Sequence, residues 1–165
     1  MNEMKTIYHV EGKLCKEFVG QISYTVCLEQ SWDELDIEFS FSPQYFRPED
    51  LTQERIQEIT EYCKKEYPDF FSSKESLNLF SSDDEIKDAI CHNTKTEIHT
   101  LATLNDEFIG GIHRQLSTRH MHFTKADASD GCIPQSKIEG VLKVTLIVFS
   151  VLLDNTEYSL AVRVR

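Results

Sequence analysis

Leu35-Asp36-Ile37-Glu38-Phe39-Ser40-Phe41-Ser42 places an apolar side chain at every second position. Successive side chains of a β-strand point to opposite faces. The spacing therefore predicts a strand with Leu35, Ile37, Phe39 and Phe41 inward and Asp36, Glu38, Ser40 and Ser42 toward water. Ile22, Tyr24, Val26 and Leu28 repeat the pattern one element earlier, across a polar connection at 29–34. A link this short favours antiparallel pairing of the two, because parallel neighbours need a crossover of roughly a dozen residues or more. Residues 7–10 read as a further strand, with a turn at Glu11-Gly12 or Val19-Gly20.

Beyond Pro43 and Pro48 the period changes from 2 to 3.6. Ile56, Ile59 and Cys63 form a helical stripe, with Glu49, Asp50 and Glu54 toward its start, Lys64 and Lys65 at its end, and Pro68 beyond. That charge order suits the helix dipole. Ser82-Asp83-Asp84-Glu85 matches a capping box, with Ile86, Ala89 and Ile90 as the apolar face of a second helix. Residues 72–84 are the most loop-like stretch.

The chain then returns to strands. Residues 97–104 and 107–112 flank Asn105-Asp106, a hairpin turn signal. Residues 119–124 alternate, with His120, His122 and Thr124 opposite Met121 and Phe123. The run 141–153 is apolar on both faces and predicts a central strand covered on both sides. Tyr158, Leu160, Val162 and Val164 alternate to the chain end, predicting an edge strand paired back onto 141–153, with Arg163 and Arg165 on its other face. Strands, then helices, then strands argue for one α+β domain over 1–165. We expect mainly antiparallel sheet of about six to eight strands, sandwich-like, with two helices inserted mid-chain.

Composition narrows the function classes. The 165 residues are 40% apolar and carry a net charge of −11, which opposes nucleic acid and anionic membranes as partners. Met1-Asn2-Glu3-Met4-Lys5 lacks the basic start and apolar run of a secretory leader, and 141–153 is too short for a membrane helix. With five cysteines, an odd number without CxxC spacing, the chain reads as cytoplasmic with reduced thiols. No cofactor is expected. Charge is also unevenly spread. Residues 1–107 carry 23 acids and 10 bases, whereas 108–165 carry 5 acids and 7 bases, and 108–126 contains no acid at all.

That acid-free segment and its continuation to Gln135 hold the candidate site residues. Arg114, Arg119 and Lys125, with three histidines, would form a positive patch able to hold a small acidic ligand or an acidic protein surface, arginine supplying forked donors. His120 and His122 sit at i, i+2 on one strand face, close enough to share a metal ion, with Asp127, Asp130 or Cys132 to complete a tetrahedral set.

Ser129-Asp130-Gly131-Cys132-Ile133, with His113 upstream, resembles the active-site motif of the L,D-transpeptidase family, in which a His and a Ser-x-Gly-Cys-(Ile/Val)-Arg stretch supply base and nucleophile. The resemblance implies His113 as base and Cys132 as nucleophile of an acyl-transfer or hydrolytic enzyme, since the thiolate is the reactive form. Pro134 stands where that family has arginine, and Arg114 replaces the glycine beside the upstream histidine. The likeness covers about 25 residues. The sequence reading we favour is a non-enzymatic binding protein using 108–126, the enzyme or metal-binding protein centred on His113, His120, His122 and Cys132 being the alternative.

Overall fold

A computed structural model describes residues 3–69, 82–113 and 116–165. Arg114 and most of the loop read at 72–84 lie outside the described residues. The fold is α+β and mainly antiparallel, with eight strands in two sheets and two α-helices among the described residues. The chain divides into two compact units, Met1–Gln44 with Thr96–Arg165, and Tyr45–Lys95.

The first unit holds β1 (Lys5–Leu14), β2 (Gly20–Trp32), β3 (Glu34–Ser42), β4 (Glu97–Leu104), β5 (Glu107–Ile112), β6 (Thr118–Thr124), β7 (Ile138–Ser150) and β8 (Thr156–Val164). One sheet runs β1-β8-β3-β6 and the other β2-β7-β4-β5. Their inner faces share one core, including Leu35, Ile37, Phe39, Met121, Phe123, Leu142, Val144, Leu146, Leu160 and Val162. Away from the register shifts of β1 and β5, the strands contribute every second side chain, as the alternation requires.

Three features differ from the sequence expectation. β2 and β3 are consecutive, separated only by Asp33, yet they belong to different sheets. The chain crosses between sheets at Asp33, where the Asp33 and Glu34 amides both donate to the Arg165 carbonyl. Alternation specifies which side chains face the core, not which strand lies alongside, and two sheets around one core satisfy it equally. β8 is not an edge strand and does not pair with β7. It lies between β1 and β3. β7 is central, between β2 and β4, but only one of its faces is covered. Leu142, Val144, Leu146 and Val148 are buried, Ile147 is only partly so, and Val141 and Phe149 are about half exposed at 48% and 49%.

The β4–β5 hairpin forms as expected. Asn105 and Asp106 both take left-handed backbone, with φ of 51° and 66°. Two such residues define the turn whose twist suits a two-residue hairpin, and Asn and Asp tolerate that region best after glycine.

The second unit holds α1 (Gln53–Glu66) and α2 (Asp83–Asn93), preceded by a single 3-10 turn at Pro48–Asp50. Thr52 caps α1 by accepting from the Arg55 amide, and Glu49 and Asp50 fall in the 3-10 turn instead of the helix. Ser82 and Glu85 form the reciprocal capping box of α2.

Candidate functional site

The segment 127–135 runs between the free margins of β5 and β6 and bonds to both. Gly111 N donates to Gly131 O at 3.0 Å and Ile133 N to Ile109 O at 2.8 Å on the β5 side. On the β6 side Ser129 N donates to His122 O at 3.0 Å, and Gln135 N to Thr124 O at 2.9 Å. Gly110 and Gly131 make this approach possible. A β carbon on Gly110 would stand 2.6 Å from Cys132 Sγ, and one on Gly131 would stand 2.6 Å from Gly111 O. The pair Gly110-Gly111 sits beside a β-bulge, since the β4–β5 register shifts between Ala102 and Thr103.

This packing decides the character of Cys132. Its side chain lies against the sandwich core, and burial pushes its thiol up to about 11. An activated nucleophile needs the opposite shift, from a cation or base beside the sulfur. His113 is exposed and its ring lies 6.2 Å from that of His99, on the outer face of β4. No interaction joins His113 to Cys132 among the described residues.

Arg119 does not stand on the surface where the basic patch was expected. Arg119 is buried, with 3% of its surface exposed, and shares the inward parity of Met121 and Phe123. Its Nε donates to Leu116 O at 2.9 Å and its Nη1 lies 3.4 Å from Thr100 Oγ1. The guanidinium stands 5.7 and 5.6 Å from the ring centres of Phe39 and Phe41, within cation–π range. Burial lowers its pKa to about 10, so it stays charged at neutral pH, with Glu97 a more distant opposite charge. A side chain so placed supports the sandwich end and is not a surface ligand for an acid. The signal that would have found it was its spacing from Met121 and Phe123. Lys125 is exposed in the turn after β6, where Thr124 Oγ1 accepts from the amides of Ala126 and Asp127.

His120 and His122 lie on the outer face of β6, as expected from alternation. His120 is engaged by the protein's own carboxylates, its Nδ1 3.4 Å from Asp36 Oδ2 and its Nε2 3.6 Å from Glu38 Oε2. Arg163 Nη1 donates to the same two oxygens at 3.2 and 2.8 Å. The antiparallel register makes this cluster, setting Asp36 opposite Arg163 and Glu38 opposite His120. Hydrogen bonding from Arg163 holds the Glu38 carboxyl below its ordinary value. Among the described residues no three His, Cys, Asp or Glu side chains converge in a metal-binding set.

The face that sequence reading missed is the outer side of β2-β7-β4-β5. The register lines up Gln21, Ile147 and His99 in one row, Ser23, Thr145, Leu101 and Gly111 in the next, and Thr25, Lys143, Thr103 and Phe108 in a third. The β2 positions are polar, whereas β4, β5 and β7 carry the apolar ones. His99 packs on Phe149 at 4.5 Å between ring centres, and Phe108 is 53% exposed. The two-sided apolar run at 141–153 was the available signal, although it was read as buried on both sides.

No helix among the described residues is long and apolar enough to cross a membrane. No curated protein and no solved structure matches the chain. The sequence profile of a family of unknown function, DUF6669, matches residues 4–165, and the chain belongs to that family.

Proposed function

We propose that this protein is a non-enzymatic interaction module that binds a protein partner through the outer face of β4, β5 and β7. The observation carrying the reading is that Phe149, packed on His99, together with Phe108 and Val141, is exposed on this one sheet face. Interface centres are enriched in aromatics and depleted of charge. The segment 108–126 contributes here through Phe108 and His113, not through arginine charge. A small acidic ligand is the weaker choice, because the arginine fork it would need at Arg119 is buried. The enzyme alternative is the weaker choice, because burial shifts the Cys132 thiol up, away from an activated nucleophile. A reducing cytosolic setting suits the five free thiols.

Photo-crosslinking residues placed at 149 and 108 test the reading in living cells. A discrete protein adduct is expected from both positions, and none from position 159 on the outer face of the other sheet. Equal yields from all three, or no adduct from 149 and 108, would overturn it.

A further inference from the structure

Each four-stranded sheet has two edges, and three of the four are closed or blunted. β5 and β6 are bonded to the segment 127–135, through the Gly131 and Ile133 contacts on one side and the Ser129 and Gln135 contacts on the other. β1 is interrupted by a register shift between Thr6 and Tyr8, and its exposed positions carry Lys5, His9, Glu11 and Lys13. Bulges and charges are the usual ways an edge is kept from pairing.

β2 has neither device over its first nine residues. Gly20 to Leu28 pair with Val148 to Gly140 of β7 without a register shift. The stretch Gly20-Gln21-Ile22-Ser23-Tyr24-Thr25-Val26-Cys27-Leu28 contains no charge and no proline in a chain that is 27% charged. Its residues favour extended structure, and alternate residues of an edge strand turn their N–H and C=O away from the sheet. Apart from pairing with β7, no backbone hydrogen bond involves these nine residues among the described ones. The gap between β1 and β2 is filled by side chains. Tyr24 Oη lies 2.6 Å from Tyr158 Oη, and the ring of Tyr24 is 6.1 Å from that of Tyr8. Among the described residues no other backbone bonds to this edge, and Ile22 and Tyr24 are only partly buried.

We propose that β2 pairs with β2 of a second copy of this chain, antiparallel across a two-fold axis, joining two four-stranded sheets into one of eight strands. A second copy is the occupant that the charge distribution favours. A chain of net −11 repels itself in general, and β2 is the long strand margin where that repulsion is locally absent. The strand is also self-complementary. With the axis at Thr25, Ser23 faces Cys27, Gln21 faces Glu29, Tyr24 faces Val26 and Ile22 faces Leu28, so no like charges meet. A two-fold perpendicular to the sheet keeps the apolar face of each strand on the same side, so the half-covered Ile22 and Tyr24 gain apolar neighbours.

Sedimentation velocity from micromolar to submillimolar concentration tests this with the full chain and with the double variant Ser23→Lys, Thr25→Lys. Both replaced side chains are exposed, so the variant is expected to keep the far-UV signature and melting temperature of the wild type. The wild type is expected to sediment at twice the chain mass and the variant as a monomer. Amide exchange across 21–28 should be at least roughly tenfold faster in the variant than in the wild-type dimer. A wild type that stays monomeric throughout overturns the proposal. So does a dimer that survives both lysines with unchanged exchange at β2, which would put the interface elsewhere.

Discussion

At Gly140 the backbone has φ of 101°, and a β carbon built there would stand 2.1 Å from Asn105 Oδ1. That oxygen accepts from the Val141 amide at 2.8 Å, while Asn105 Nδ2 donates to Glu139 O at 3.0 Å. One side chain thus ties the β4–β5 turn to β7, and glycine is the residue that leaves room for it. Gly140→Ala adds left-handed strain and displaces these bonds. It should cost about 2–3 kcal/mol and lower Tm by roughly 5–10 °C, as read by thermal and urea unfolding. Cys132 is governed by the same kind of close packing. With its thiol pushed up to about 11, the thiolate is about one part in ten thousand at neutral pH. Exposed Cys15 and Cys27 should react with iodoacetamide first and Cys132 late, as peptide mapping would record. Early labelling of Cys132 that disappears in His113→Ala would restore the nucleophile reading.

Among the elements, the outer face of β3, β6 and β8 is organised by charge. Arg163 bridges Asp36 and Glu38, and Arg165 pairs with Glu34 two residues along. Glu38 has a depressed folded-state pKa, caused first by the hydrogen bond from Arg163. Its contribution is therefore fully present above the ordinary carboxyl value of 4.5 and is lost as pH falls through the lower folded value. Arg163→Met removes that contribution. The stability gap between wild type and variant should be widest at neutral pH, about 1 kcal/mol after solvent screening, and should close in acid. Urea titrations at neutral pH and below 4.5 would measure it. A gap that does not change with pH would mean that Arg163 acts through packing of its stem alone.

On the scale of the whole molecule, the helical unit leaves and rejoins the sandwich at adjacent points. Thr96 N donates to Gln44 O at 2.7 Å, and Tyr45 bridges Lys95 just beyond. Every residue of the sandwich core cluster belongs to the first unit, and the second buries its own Phe46, Leu51, Ile56 and Ile90. Segments inserted between adjacent chain ends are the ones whose removal a domain tolerates. Replacing Tyr45–Lys95 by a short Gly-Ser link should leave the eight strands folded, with cooperative unfolding and the far-UV signal of a β protein. Loss of the cooperative transition would show that the sandwich depends on the helices.

What the sequence determined by itself was whatever depends on near neighbours along the chain. The alternation at 35–42, the helical stripe at Ile56, the Ser82–Glu85 capping box and the Asn105-Asp106 turn were all legible, because each is fixed by side-chain direction or a local hydrogen bond. The inward parity of Arg119 was legible in the same way, although its charge argued for the surface. Tertiary structure alone decided that β2 and β3 lie in different sheets, that β8 sits between β1 and β3, and that Val141 and Phe149 are half exposed. It also decided that His113 and Cys132 lie in separate surroundings and that His120 meets Asp36 and Glu38. A strand of period 2 presents the same apolar face to any neighbour, so its partner is chosen by the packing of the complete core. That choice then sets which polar groups on the outer faces come together.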